Sequence, residues 1–328
     1  MNITMLGAGA WGTALAISLA RRHQVTLWAR NAEQIASMRA TRRNERYLPD
    51  TALPAELLLE HDFDAAIAGA DMLVLAVPIS ALRDTLGRIA RQRVPVPVVW
   101  LCKGFEVDTA LLPHQIANEV LPPAFPRAVL SGPSFAQEVA QGLPTALTLA
   151  SSDAEFARQA AQNLHNSRLR IYASADVVGV EVGGAVKNVL AIAAGISDGM
   201  GFGYNTRAAL LTRGLSEMTR LGIKLGGRAE TLGGLSGVGD LILTCTGDLS
   251  RNRKVGLLLA QQRALPYILR ELGHVAEGVY TVSAVHKLVQ RLGVDMPICE
   301  AVYRVLYEQV DAASAVEELL NRVPRDED

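Results

Sequence analysis

The feature that most constrains this chain lies in its first 22 residues. Ile3-Thr4-Met5-Leu6 is a short apolar run, Gly7-Ala8-Gly9-Ala10-Trp11-Gly12 follows without a break, and Thr13 to Arg22 carries helical apolar spacing. A strand passing through a glycine turn into a helix is the opening of an α/β domain. The glycines allow a tight turn, close approach of backbone to a pyrophosphate, and close packing of helix on strand, while the helix N-terminus faces the anion. A glycine turn kept only for packing is the plainer alternative. Its place at the start of an α/β chain favours the dinucleotide reading, with Gly7, Gly9 and Gly12 as contacts.

The pattern continues with apolar runs at Val25 to Trp28, Asp71 to Val77, Val96 to Leu101, Ala128 to Ser131, Ala146 to Ala150 and Leu169 to Ala173. Helical stretches fall between most of them, including Ala32 to Arg42 with Asn31 as a cap, whereas Tyr47-Leu48-Pro49-Asp50 reads as a loop. Such alternation specifies a Rossmann-like, doubly wound, mostly parallel sheet with helices on both faces. From Glu181 onward the patterns are helical only, at 181–199, 207–224, 253–262, 280–291 and 297–308. Two domains are therefore expected, a dinucleotide-binding domain over 1–180 and an all-α substrate and catalytic domain over 181–328. A length of 328 residues agrees with more than one core. The tail at Arg325 to Asp328 reads as frayed.

Charge removes several function classes. With a net charge of -1 and 20% charged residues, no basic footprint for nucleic acid or anionic lipid stands out. Cys102, Cys245 and Cys299 are widely spaced and form no metal-binding or disulfide pattern, so reduced thiols and no metal are expected. The sequence runs from Met1 straight into the first strand pattern, so no leader is expected, and the longest apolar run, around Val189 to Ile196, is too short to span a bilayer. A cytoplasmic protein without a membrane span is the expectation.

The second strand ends in Leu27-Trp28-Ala29-Arg30-Asn31, where an NAD-specific site carries a carboxylate for the ribose hydroxyl. An arginine there offers a partner to a 2'-phosphate instead, so NADP(H) is accommodated beside NAD(H). A solvated residue at a helix start is the alternative for Arg30. On the helix from Glu181 to Gly199, Gly183, Gly184, Lys187, Ala191 and Ala194 share one side, so a single long cation rises from a face of small residues. Burial there would lower the lysine pKa toward the range useful for proton transfer. Alone, Lys187 would read as a surface lysine.

Further segments add chemistry to these two. Lys103 follows the strand ending in Leu101, Gly132-Pro133-Ser134 follows another, and Asp240 follows Gly237-Val238-Gly239. As alternatives these are a loop charge, a turn and a helix N-cap. Ser250-Arg251-Asn252-Arg253 places a hydroxyl, an amide and guanidinium groups at a helix start, a fitting phosphate receptor. Asn205 and Thr206 lie in a glycine-rich loop and are expected to line a cleft.

Taken in order, these segments make the chain resemble the bacterial-type NAD(P)-dependent glycerol-3-phosphate dehydrogenases. The resemblance runs through Gly7 to Ala16, Val74 to Pro78, Cys102 to Phe105, Ser131 to Ala136, the Lys187 helix, Gly237 to Leu241, Ser250 to Arg253 and Val275 to Gly278. It implies reversible hydride transfer between NAD(P)H and dihydroxyacetone phosphate, supplying glycerol 3-phosphate for phospholipid synthesis, in a homodimer with the site between the domains. Lys187 is implied as the acid/base. Substrate contacts are implied for Lys103, Gly132, Ser134, Lys187, Asp240, Ser250, Arg251 and Asn252. Cofactor contacts are implied for the glycine turn with Ala10 and Trp11, and for Arg30, Lys103, Ala136, Arg251, Val275 and Glu277.

Two departures from the family pattern are the short turn Arg21-Arg22-His23-Gln24 and Ala10 in place of a hydroxyl residue. Both bear on cofactor contacts and leave the NAD to NADP ratio open. A β-hydroxyacid or ketopantoate-type reductase is the alternative within the same class, and a nucleotide sensor without turnover is the alternative outside it. The apolar positions Val302, Val305 and Leu306 suit either an interface or a core.

Overall fold

The computed structural model describes residues 1–92, 95–273 and 276–322. The chain opens with β1 (Asn2–Leu6), α1 (Ala10–Ala20), β2 (Gln24–Trp28) and α2 (Ala32–Thr41). A small hairpin follows, β3 (Arg43–Asn44) and β4 (Leu48–Ala52), and then β5 (Leu58–Glu60) and α3 (Phe63–Ile67). The winding continues through β6 (Met72–Leu75), α4 (Ile79–Ile89), β7 (Val98–Trp100), α5 (Pro113–Val120) and β8 (Arg127–Ser131). It closes with α6 (Ala136–Ala140), β9 (Thr145–Ala150), α7 (Ala154–Leu164), β10 (Leu169–Ser174) and the long α8 (Val177–Gly199).

Eight strands make one sheet in the order β10-β9-β8-β7-β6-β1-β2-β5. Its neighbours pair in parallel except β8 with β9, which are antiparallel. From β1 the chain winds outward through β2 to β5, then crosses back to β6 on the other side of β1. The carboxyl end of β1 is therefore the point where the winding reverses, where open α/β sheets take their ligands. Ile3, Thr4, Met5 and Leu6 are all buried there, as are Gly12 through Ala20 of α1, which seats that helix in the core.

Of the Tyr47 to Asp50 segment only Tyr47 lies in a turn, and the rest is strand. Leu48–Ala52 pairs antiparallel with Arg43–Asn44 outside the main sheet, where a proline is tolerated because the strand has a free edge. The division of the chain also differs from a single cut at 180. One compact unit holds Met1–Lys103 and Leu112–Glu181, and the other holds Gly104–Leu111 with the described residues from Val182 onward.

The second unit contains helices only among its described residues. After α8 come α9 (Tyr204–Lys224), α10 (Ala229–Leu232), a turn of π-helix at Leu235–Gly239, and α11 (Asp240–Thr246). The remainder is α12 (Arg251–Ala260), α13 (Leu265–Leu272), α14 (Glu277–Leu292), α15 (Pro297–Tyr307) and α16 (Ala312–Leu320). At 23 residues α8 is long and apolar enough to cross a membrane, although no uninterrupted apolar run in it is. It is buried along most of its length, the setting of a core helix. Val302 and Leu306 belong to the core as well, and Val302 and Val305 both line an apolar groove. The residues from Arg325 to Asp328 lie outside the described part.

Burial of one carboxylate in this unit has a measurable effect. Glu217 on α9 accepts the Ile298 N–H at 2.7 Å and the Cys299 N–H at 3.1 Å, both at the start of α15. Desolvation outweighs those bonds and raises its pKa from the ordinary 4.5 to about 7. The native state thus holds this proton more tightly than the unfolded chain. Its stabilising contribution is complete below pH 4.5 and is lost as the pH rises through about 7. At about 1.4 kcal/mol per tenfold change in proton affinity, the loss is roughly 3 kcal/mol. Urea unfolding at pH 5 and pH 8 should show Glu217→Gln lacking this decline; a slope equal to that of the parent protein would remove the assignment.

Candidate active site

In the first unit the three glycines of the turn do different work. Gly7 has φ 122°, and a Cβ there would lie 2.6 Å from the Ala76 carbonyl oxygen. A Cβ on Gly12 would lie 2.0 Å from the Gly7 oxygen, so both positions are closed by packing. Around Gly9 nothing lies within 4 Å of the Cβ position. Gly9 is also the N-cap of α1, which has no side-chain cap and no acidic residue in its first turn. Open space before uncapped N–H groups fits the pyrophosphate of a dinucleotide. Ala10 and Trp11 are half-buried beside it.

Arg30 sits past the end of β2, exposed, with no hydrogen bond or ion pair among the described residues. The cap of α2 is Asn31, whose side chain accepts the Gln34 N–H at 2.9 Å, so Arg30 is not engaged in starting that helix. Lys103 follows β7, half-buried, and its Nζ donates to the Gly132 carbonyl at 3.4 Å. Ser134 Oγ donates to the same carbonyl at 3.1 Å, so these three residues form one group. Ala136 opens α6 close by in sequence.

In the second unit Lys187 is 6% exposed and Asp240 1%. The Lys187 ammonium donates to the Asp240 carboxylate and, at 3.0 Å, to Thr244 Oγ1. The Thr244 hydroxyl donates to the Asp240 carbonyl at 2.6 Å. Gly183 makes this meeting possible: a Cβ there would lie 2.3 Å from the Ser236 oxygen, so the π-turn rests directly on α8. Asp240 is the first residue within α11, not its N-cap, which is Gly239. Cys245 lies on the same helix, and burial pushes its thiol up to about 12, which removes it as a base.

Ser250 caps α12, with its Oγ accepting the Arg253 N–H at 3.2 Å. Arg253 is tied to Asp198 at 2.8 Å and to Asp248 at 2.9 Å, so its guanidinium is engaged with carboxylates. Arg251 is exposed, with no ion pair among the described residues. Asn252 is buried, and its amide is mostly committed. It donates to Asn188 Oδ1 at 3.0 Å and accepts the Gly278 N–H at 3.0 Å, leaving one amide proton to offer. Glu277 is the first residue of α14, Val275 lies outside the described residues, and Asn205 and Thr206 lie in the first turn of α9 rather than in a loop. Among the described residues no group of three or more His, Cys, Asp or Glu side chains is placed to hold a metal ion.

Thr244 and Asn188 escaped the sequence reading. Thr244 lies four residues after Asp240 on one helix, a spacing that puts both on the same face and would have found it. Asn188 meets Asn252 across 64 residues, for which no local signal exists.

Residues 2–157 match the family model described as NAD-dependent glycerol-3-phosphate dehydrogenase N-terminus, and residues 176–317 match its C-terminus counterpart. A glycerol-3-phosphate dehydrogenase [NAD(P)+] of Nitrosospira multiformis is 59% identical over 331 residues, covering 100% of this chain and 99% of that one. The chain belongs to the NAD-dependent glycerol-3-phosphate dehydrogenase family. A second glycerol-3-phosphate dehydrogenase [NAD(P)+], from Thiobacillus denitrificans, is 59% identical with 100% of both chains covered. The crystal structure of a glycerol-3-phosphate dehydrogenase from Coxiella burnetii superposes with a TM-score of 0.94 at 42% identity, covering 98% of this chain and 99% of that one. The glycine turn, Arg30, Lys103, Gly132 and Ser134 fall in the part matched by the family's N-terminal model. Lys187, Asp240, Ser250, Arg251 and Asn252 fall in the part matched by its C-terminal model.

Proposed function

We propose that this chain reversibly reduces dihydroxyacetone phosphate to sn-glycerol 3-phosphate with NAD(P)H. The observation that carries the reading is the buried Lys187, held by Asp240 and Thr244 on a helix of small residues. A bound nicotinamide supplies the hydride. Lys187 gives a proton to the C2 oxygen as the ketone is reduced and takes it back in reverse. Asp240 and Thr244 fix the direction in which its Nζ points. Arg251, exposed in the first turn of α12, receives the phosphate by charge and by helix dipole, with Ser250 and the remaining amide proton of Asn252 beside it. Lys103, Gly132 and Ser134 are assigned to substrate, with Lys103 also serving the cofactor. The cofactor contacts are the glycine turn with Ala10 and Trp11, then Arg30, Ala136, Arg251, Val275 and Glu277.

By the same resemblance the enzyme works in the cytoplasm as a homodimer and supplies glycerol 3-phosphate for phospholipid synthesis. The apolar groove lined by Val305, Val316, Leu319 and Leu320 supports association. The test follows the nicotinamide absorbance with NADPH and NADH in parallel, on dihydroxyacetone phosphate, unphosphorylated dihydroxyacetone and ketopantoate. Oxidation that requires the phosphorylated triose is expected. Oxidation with ketopantoate would favour the hydroxyacid class, and binding of NADPH without turnover of any substrate would favour a nucleotide sensor.

A further inference from the structure

The hydrogen bonds that hold the glycine turn come from outside it. The Ala8 carbonyl accepts from Gln34 Nε2 on α2 at 2.9 Å and from Asn44 Nδ2 on β3 at 3.0 Å. Asn44 Nδ2 also donates to Thr13 Oγ1 in α1 at 2.8 Å. Asn44 is 1% exposed, and its Oδ1 is buried with no partner. An unpaired buried carbonyl is unfavourable, so the fold keeps this side chain for its two donor protons.

What those protons fix is a peptide plane. In a trans peptide the carbonyl and the following N–H point in opposite directions. Two donors that draw the Ala8 oxygen to one side therefore turn the Gly9 N–H to the other. That N–H has no acceptor among the described residues, and Gly9 stands in open space. Between an alanine and a glycine the peptide plane has little steric resistance to rotation, so the orientation has to be imposed from elsewhere.

We infer that Asn44 is a positioning residue for dinucleotide binding, which with Gln34 locks the Ala8–Gly9 peptide so that the Gly9 N–H is presented to the pyrophosphate. The hairpin that interrupts the α/β winding after α2 thereby has a task, since it carries the donor to the turn. This inference rests on the dinucleotide reading above. The pyrophosphate is common to both cofactors, so loss of the lock weakens NADPH and NADH alike. Loss of Arg30 falls on NADPH alone.

The experiment measures cofactor affinity by nicotinamide fluorescence, and KM and kcat with dihydroxyacetone phosphate, for the parent protein, Asn44→Ala, Asn44→Asp, Gln34→Ala and Arg30→Ser. Asn44→Ala should raise Kd for both cofactors about tenfold, the loss expected for one well-placed hydrogen bond. Asn44→Asp, which sets a carboxylate against the Ala8 carbonyl, should raise it further. At saturating cofactor kcat should stay near the parent value, a split that a merely structural role would not produce. Gln34 is half-buried on a helix surface, so Gln34→Ala carries the same test with less risk to folding, with a smaller parallel rise. Arg30→Ser should separate the two cofactors where Asn44→Ala does not. Unchanged affinities in folded Asn44→Ala and Gln34→Ala would overturn the inference, as would a loss confined to NADPH. A parent protein that binds neither cofactor would overturn the dinucleotide reading itself.

Discussion

Lys187→Arg is expected to bind NADPH as the parent protein does and to turn over dihydroxyacetone phosphate at least about a hundredfold more slowly. A guanidinium keeps the positive charge that Asp240 needs, but it stays protonated at any working pH and so cannot pass a proton back and forth. The choice of arginine matters. Lys187→Ala would also lose turnover, but it would take the cation away from a buried carboxylate, and breaking such a pair by removing one partner destabilises by about 3–5 kcal/mol. Activity loss from missing chemistry would then be mixed with loss from unfolding. Single-turnover kinetics together with cofactor fluorescence decide the matter: a Lys187→Arg variant within a few-fold of the parent rate would remove the residue from proton transfer.

Gly183→Ala should be among the most disruptive single methyl additions in the second unit. Its Cβ would lie 2.3 Å from the Ser236 oxygen, and the atom it meets is backbone, which cannot swing aside as the end of a long side chain can. Overpacking of this kind destabilises by about 3 kcal/mol. Because Asp240 follows directly on the displaced turn, kcat should fall with stability. Gly87→Ala is the control. Gly87 lies in α4 with nothing within 4 Å of its Cβ position, so the same change there should be neutral or stabilise by up to about 1 kcal/mol. If urea unfolding gave both variants the same midpoint, the close approach at Gly183 would be wrong.

Local signals made much of this legible. The buried strands β1, β2, β6, β7 and β8 were visible as apolar runs because both faces of a parallel sheet are covered. The Lys187 helix was visible because a lone cation among glycines and alanines is a compositional anomaly. Short or edge elements were not. β5 has three residues, one of them the exposed Leu58, and Pro49 concealed β4. α13 and α16 lie outside the spans with helical apolar spacing, although Pro266 opens the first, Gly273 with φ 64° closes it, and Asp311 caps the second. The segment 104–111 leaves the first unit and the chain returns to it at Leu112, which eight residues of composition cannot reveal. The candidate site divides along the same line: the residues it takes from motifs with fixed spacing are legible locally, while Asn44 and Asn188 hydrogen-bond to partners 31 to 64 residues away, which no local pattern carries.

The π-turn at Leu235–Gly239 sets the angular phase of everything after it. A helix advances about 100° per residue, so adding or deleting a single residue in this turn would rotate Asp240 and Thr244 together by roughly that angle, away from the Lys187 ammonium. Side chains along the turn can drift where space allows. Its length cannot, and in this stretch the spacing of the chain sets where the Asp240 and Thr244 side chains fall.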